Sequence, residues 1–217
     1  MKSFKFGQSN FGQAIMAHSF GNKGPKVLIL GGVHGNEWEG ALCAQSLLNH
    51  FIEAFTYDLQ LTIVPHFNPD GLSTLQRKNA NSVDLNRNLP SKDWTNEVAE
   101  EKYYPGKIAC SEPENKALVK WLDDEQPKLV ISLHSWKPML NVNGNCSPEA
   151  EIISEKTGYE IHESIGYPTP GCLGTYCGLE RNMPTLTYEL QRDMKAEDIV
   201  NIHIPAILEA LKSAEQR

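Results

Sequence analysis

Residues 27–32 (Val-Leu-Ile-Leu-Gly-Gly) form an almost continuous aliphatic run with no polar position on either face. Such a run is expected of a strand buried on both sides, as parallel strands in α/β sheets are. It leads into His34-Gly35-Asn36-Glu37, after which apolar residues recur at helical spacing over 37–51. A second apolar strand is predicted over 59–65. Beyond it lie Asn68-Pro69-Asp70-Gly71, all strong turn formers. Residues 79–92 are polar and predict an excursion over the surface. Ser111-Glu112-Pro113-Glu114 offers an N-cap candidate and an acidic first turn for a helix to about Asp124. A third strand over 129–133 delivers His134. Ser147-Pro148 opens a helix ending near Gly158, and the Gly/Pro-rich stretch 166–178 predicts a long shaped loop. A fourth strand over 185–190 precedes a closing helix over 196–214, bent near Pro205. Strands alternating with helices predict an α/β sheet with helices on its faces.

Composition narrows the picture. The 217 residues suit one sizeable core, and we expect a single domain over 1–217. A net charge of −7 argues against nucleic acid as partner, because neutralising phosphates needs a basic surface. No apolar run approaches the roughly 20 residues needed to span a bilayer, so no membrane partner is expected. Residues 1–10 are polar and aromatic, unlike a secretory signal. The five cysteines are odd in number, irregularly spaced and without Cys-x-x-Cys, which argues against a disulfide framework or a four-cysteine zinc site. A cytoplasmic location is the expectation.

The candidate chemistry gathers at strand ends, where sites form in α/β sheets. His34 and Glu37 form His-x-x-Glu in the turn after the first strand. Two side chains so spaced can face one point, and an imidazole with a carboxylate suits zinc. His134 is the best third ligand, leaving a fourth position open as catalytic zinc requires. A ligating histidine usually passes its other ring nitrogen to a carboxylate, and Asp84 is the candidate. A turn aspartate on the surface is an equal reading. Strand alternation groups Thr185, Thr187 and Glu189 on one face. A glutamate in a strand built for burial needs a reason. A water-activating base beside a metal supplies one; a salt bridge to Arg192 or Arg181 supplies another. Arg77, Asn86 and Arg87 lie in the polar excursion, either as a solvated basic loop or as a carboxylate clamp with an oxyanion stabiliser.

In order along the chain stand His34-Gly-Asn-Glu37, Asn68-Pro-Asp-Gly71, Arg77-Lys78, Asp84-Leu-Asn-Arg-Asn88, Ser132-Leu-His134-Ser135 and Thr187-Tyr-Glu-Leu190. Together they resemble the zinc carboxypeptidase family (funnelins). The stretches 77–90, 110–114 and 166–171 are similar to its branch of bacterial murein peptide amidases. The resemblance implies a mixed parallel/antiparallel central sheet with helices on both faces. It implies one Zn²⁺ per chain on His34, Glu37 and His134, with Glu189 as catalytic base and Arg77 polarising the scissile carbonyl. Asn86 and Arg87 would bind the substrate's terminal carboxylate, and Tyr167 would close over it. The implied substrate is a small murein tripeptide, cut at its γ-D-glutamyl–meso-diaminopimelate bond, and a homodimer is the implied assembly. The family often carries a cis peptide after its third ligand, here Ser135-Trp136. Two rivals share the motifs: a zinc deacylase of N-acyl amino acids, as in the aspartoacylase and succinylglutamate desuccinylase group, and a metal-free binding module. The Asn-Pro-Asp-Gly turn and Arg77-Lys78 favour the peptidase, and the retained Glu37 and Glu189 speak against the binding module.

Overall fold

A computed structural model describes residues 1–98 and 100–217. In chain order it contains β1 (Lys2–Gln8), β2 (Ala14–Phe20), β3 (Lys26–Gly31), α1 (Trp38–Glu53), β4 (Gln60–Val64) and α2 (Pro69–Thr74). There follow α3 (Pro113–Glu125), β5 (Leu129–Trp136), β6 (Met139–Asn143), α4 (Ser147–Thr157), β7 (Ile161–His162), β8 (Thr185–Gln191), α5 (Ala196–Asp198) and α6 (Ile204–Ala214). The strands form one sheet in the order β1-β2-β4-β3-β5-β8-β6-β7. Its centre, β4-β3-β5-β8, is parallel, while β1 and β2 at one edge and β6 against β8 run antiparallel. The sheet is therefore mixed, with helices on both faces.

The aliphatic run of β3 is divided between two cores. Val27 and Ile29 pack with Cys43, Ala44, Leu47 and Phe51 of α1, and with Ile207 and Leu211 of α6. Leu28 and Leu30 face the opposite side, with Leu118 and Leu122 of α3. Four strands match the apolar runs. β1, β2, β6 and β7 were not legible, because each has an exposed or half-exposed face that breaks the aliphatic run.

Four local expectations are corrected. Asn68-Pro-Asp-Gly71 is more than a turn: Asn68 caps α2, its side chain accepting from the Gly71 N–H, with Pro69 in the first turn. α3 has no side-chain cap, since Ser111 Oγ donates to Glu112 instead. The stretch 79–92 is not a surface excursion. Asn79, Asp84, Arg87, Asn88 and Ser91 are buried polar groups, and Val83, Leu85 and Leu89 are buried apolar ones. Among the described residues every peptide bond is trans, Ser135-Trp136 included. There β5 simply continues, with Ser135 and Trp136 in register with Leu190 and Gln191 of β8. The closing helix widens its turns over Ile199–His203 and returns to regular α-helix at Ile204, just before Pro205. No helix among the described residues is long and apolar enough to cross a membrane.

Two glycines set where the site is built. A Cβ on Gly40 would lie 2.3 Å from the Leu133 carbonyl oxygen, so only glycine lets α1 rest against β5 just before His134. A Cβ on Gly35 would lie 1.9 Å from the carbonyl carbon of Gly71, so the loop after β3 touches the first turn of α2.

Candidate metal and catalytic site

β3 and β5 are parallel neighbours, with Gly31 opposite Leu133, so the residues just beyond their carboxyl ends converge. The Glu37 N–H bonds back to the His34 carbonyl at 3.1 Å, curling the chain so that both side chains face inward. His34 Nδ1 lies 2.9 Å from Glu37 Oε1, and His134 Nδ1 lies 2.9 Å from Glu37 Oε2 and 3.2 Å from His34 Nδ1. All three residues are buried. Among the described residues they form the one such group able to hold a metal ion, with one ligand atom from each lying within 4.8 Å of the others.

The remaining ring nitrogens are engaged. Asp84 Oδ1 sits 3.0 Å from His34 Nε2, and Ser132 Oγ sits 3.0 Å from His134 Nε2. Each engaged Nε2 fixes its ring and leaves the Nδ1 lone pair pointing at the common centre. Burial raises the pKa of Glu37, but the two histidines outweigh it and hold the carboxyl well below its usual range. Asp84 behaves alike: burial opposes its charge, while His34, Arg77 and Arg87 hold the carboxyl low. Two imidazole nitrogens and an ionised carboxylate, buried and oriented from behind, fit a zinc ion with room for a further ligand.

Glu189 comes from β8, which pairs with β5 so that His134 stands opposite Glu189. The strand's other face (Leu186, Tyr188, Leu190) is locked in the α1 core, which turns Glu189 and Thr187 toward the site. The glutamate is buried and its Oε2 has no partner. Burial pushes its pKa up to about 7; His134 opposes the shift, Glu37 adds to it, and Arg77 and Arg192 oppose it. The salt-bridge alternatives do not form. Arg181 bonds Tyr176 and Asp123, while Arg192 donates to the carbonyls of Asn36 and Ser135. An orphaned buried carboxylate near neutrality is suited to proton transfer.

The buried turn 84–88 supplies the other side of the cleft. Asp84 accepts the Asn86 N–H, closing the turn. The Asn86 side-chain oxygen accepts the Leu173 N–H at 2.9 Å, which leaves its amide NH₂ free. Arg87 donates to the Asn86 carbonyl and lies over the Tyr103 ring. Arg77 donates through Nε to Asp84 (2.9 Å) and through Nη1 to Glu37 (3.1 Å), and also lies against Tyr103. Tyr167 packs against Tyr103 and Trp136 at the mouth. Burial and its bond with Tyr103 push its pKa up to about 12, so it remains a phenol.

One cleft is thus lined by His34, Glu37, Arg77, Asn86, Arg87, Tyr167 and Glu189, with His134 and Asp84 just behind. Sequence reasoning missed Lys102 and Tyr103, which carry no motif, and gave Trp136, Asn141 and Asn143 no role. Thr187 could have been found from its place on the Glu189 face. His66, which lies just before the Asn68 turn, is exposed in a separate groove with His18.

The chain matches the zinc carboxypeptidase family over residues 1–194. It is 32% identical over 200 residues to murein peptide amidase A of Vibrio campbellii, covering 85% of this chain and 77% of that protein. In three dimensions it resembles a murein-tripeptide amidase from Escherichia coli O157, with a TM-score of 0.81 and 24% identity over 98% of this chain and 92% of that one. It also resembles carboxypeptidase A from Helicoverpa armigera, with a TM-score of 0.84 and 16% identity over 99% and 68% of the two chains. At these identities the two structures show a shared fold.

Proposed function

The chain belongs to the zinc carboxypeptidase family and is a hydrolase of metallopeptidase type; from that premise we propose that it cuts the γ-D-glutamyl–meso-diaminopimelate amide bond of murein tripeptide. One arrangement carries the reading: a buried, unpartnered Glu189 beside the His34-Glu37-His134 group, in a cleft that also presents Arg77, Asn86 and Arg87. The relationship to murein peptide amidase A supports the choice of substrate.

His34, Glu37 and His134 would hold zinc, which when bound supplies Lewis-acid activation of water and of the scissile carbonyl. Glu189 accepts a proton from the attacking water and passes it to the departing amine of diaminopimelate. Arg77 turns its guanidinium toward the carbonyl oxygen as negative charge develops there. Arg87 and the free amide of Asn86 bind the α-carboxylate of the leaving group, where a planar fork of donors gives a bidentate fit. Tyr167 covers that carboxylate and helps to keep water out.

The direct test is incubation of the zinc-loaded protein with L-Ala-γ-D-Glu-meso-diaminopimelate, followed by mass spectrometry. The expected products are L-Ala-D-Glu and free diaminopimelate. Cleavage of N-acyl amino acids with no action on the tripeptide would overturn the proposal in favour of a deacylase. A second expectation concerns Arg87→Ala. Losing a charge-assisted pair of about 1.5–3 kcal/mol raises KM roughly 10- to 100-fold for substrates with a free α-carboxylate. A substrate amidated at that carboxyl should be nearly indifferent to the change; equal effects on both would remove Arg87 from the clamp.

A further inference from the structure

The cleft carries more positive charge than the chemistry assigned so far uses. Arg77, Arg87, Lys102 and Arg192 all line it. Arg77 is neutralised by Asp84 and Glu37. Arg87 is committed by the proposed function to the carboxylate of the leaving group, and Lys102 lies over Tyr103 on that same side. Arg192 has no assigned partner in the reaction.

Arg192 touches the cleft through Glu37 rather than through Tyr103. Arg87 contacts Tyr103; Tyr103 contacts Arg77; Arg77 donates to Glu37; and Arg192 Nη2 lies 3.5 Å from Glu37 Oε1. Arg77, which faces the scissile carbonyl, therefore lies between two further guanidiniums. Its neighbour through Tyr103 serves the leaving group. Its neighbour through Glu37 stands beside Asn36, Ser135 and Trp136, which the proposed function leaves for the acyl portion of the substrate. Arg192 donates one bond from each Nη, 2.8 Å to the Asn36 carbonyl and 2.7 Å to the Ser135 carbonyl. A guanidinium has five N–H donors, so three remain. Both acceptors are neutral, and the nearest carboxylate, Glu37 Oε1, is already shared with Arg77 and His34. The side chain is about one-third exposed (34%), open to a ligand yet fixed at its tip.

A γ-linked glutamyl residue offers a group that this position can read. Its α-carboxylate is free and sits a few bonds from the scissile carbonyl, on the acyl side. An acyl residue with a neutral side chain carries no anion there, and an α-linked glutamyl carries one with its acylamino group moved to the carbon beside the scissile carbonyl. We propose that Arg192 binds the free α-carboxylate of the γ-glutamyl residue and so selects acyl groups that carry this anion over those that lack it. This rests on the proposed function, and it adds a specificity-determining residue on the acyl side. With Arg87 on one flank and Arg192 on the other, the two carboxylates that bracket the scissile amide fix its register over Arg77 and Glu189. The carbonyl bonds to Asn36 and Ser135 hold the guanidinium in place, so little side-chain entropy is lost when the anion binds.

The test compares two substrates on the zinc-loaded enzyme: L-Ala-γ-D-Glu-meso-diaminopimelate, and the same peptide with the glutamyl α-carboxyl as its carboxamide. Wild type should favour the free acid in kcat/KM by roughly 10-fold or more, the size of one partly exposed charge-assisted pair. Arg192→Gln should bring that ratio close to one, whatever its overall loss of activity, and Arg192→Lys should restore part of it. Wild type that cleaves both peptides equally overturns the inference, with no variant required, while leaving the proposed reaction intact. A variant that is weakened on both substrates but keeps the wild-type ratio also overturns it, since Arg192 then only clamps the two carbonyls. Wild type that cleaves neither peptide overturns the underlying reading and this inference with it.

Discussion

Glu189→Gln should reduce kcat by about 10²- to 10⁴-fold, the range contributed by a positioned general base, while zinc content and substrate affinity stay near wild type. The substitution keeps the shape of a side chain held between β8 and the His34-Glu37-His134 group. It removes only the capacity to accept a proton. Zinc is read by metal analysis, affinity by calorimetry under non-turnover conditions, and kcat with the tripeptide. Near-normal turnover would exclude Glu189 as the base, and loss of zinc in step with activity would make it a structural prop. The metal-free protein offers an independent readout. Burial raises the Glu189 carboxyl from its ordinary 4.5 to about 7. A raised carboxyl pKa means that folding favours the neutral form. Its cost to stability is absent below 4.5, grows as pH climbs between the two values, and is constant above about 7. The uncharged glutamine escapes that cost. The metal-free variant should therefore gain on wild type in unfolding midpoint as pH rises through this window. A difference that does not change with pH would show that Glu189 is not held as described.

The cost of burying this carboxyl is also why the glutamate could be read from the sequence. It broke the rule for its strand. Val27 to Gly32 and Thr185 to Leu190 are apolar enough to be recognised, and His34, His134 and Glu189 stood out because each lies within or beyond such a run. The edge strands had no such contrast. The stretch 79–92 misled for a related reason. Its polarity is that of an exposed loop, but in the interior Asn79 bonds Glu114 and the Val83 N–H, Asp84 bonds His34, Arg77 and the Asn86 N–H, and Asn88 bonds the Pro105 carbonyl and Asn115. Composition does not distinguish polar groups that bond to water from polar groups that bond to each other. Tyr103 marks another limit. It joins Arg77, Arg87 and Tyr167 into one wall, yet it reaches them from a single helical turn, Glu101–Tyr103, too short for periodicity and without a motif. Arg192 could be read only as a partner for Glu189, because its real partners are carbonyls, which every residue possesses.

The other large effect is expected at Arg77. Removing one preorganised donor to a developing oxyanion costs about 10²- to 10³-fold in kcat, or about 2.7–4 kcal/mol. Arg77→Ala should show a loss of that order with a small change in KM. The difficulty is that Arg77 has two other duties: its Nε bonds Asp84, which orients His34, and its Nη1 bonds Glu37. Removing it therefore also unties Asp84, which orients His34, and frees the Glu37 carboxylate to turn, and metal affinity should fall. The two effects separate by titration. If Arg77 acts on the carbonyl, saturating zinc restores metal content and the unfolding midpoint but leaves kcat depressed. If it only supports the ligands, saturating zinc restores all three. Arg77→Lys sharpens the distinction. An ammonium keeps the charge, but it has no planar fork to span Asp84 and Glu37 while presenting a further donor to the cleft. It should recover most of the zinc affinity and little of the turnover. Full recovery of turnover by lysine would mean that any cation near Glu37 suffices, and that the fork geometry of Arg77 is not what faces the oxyanion.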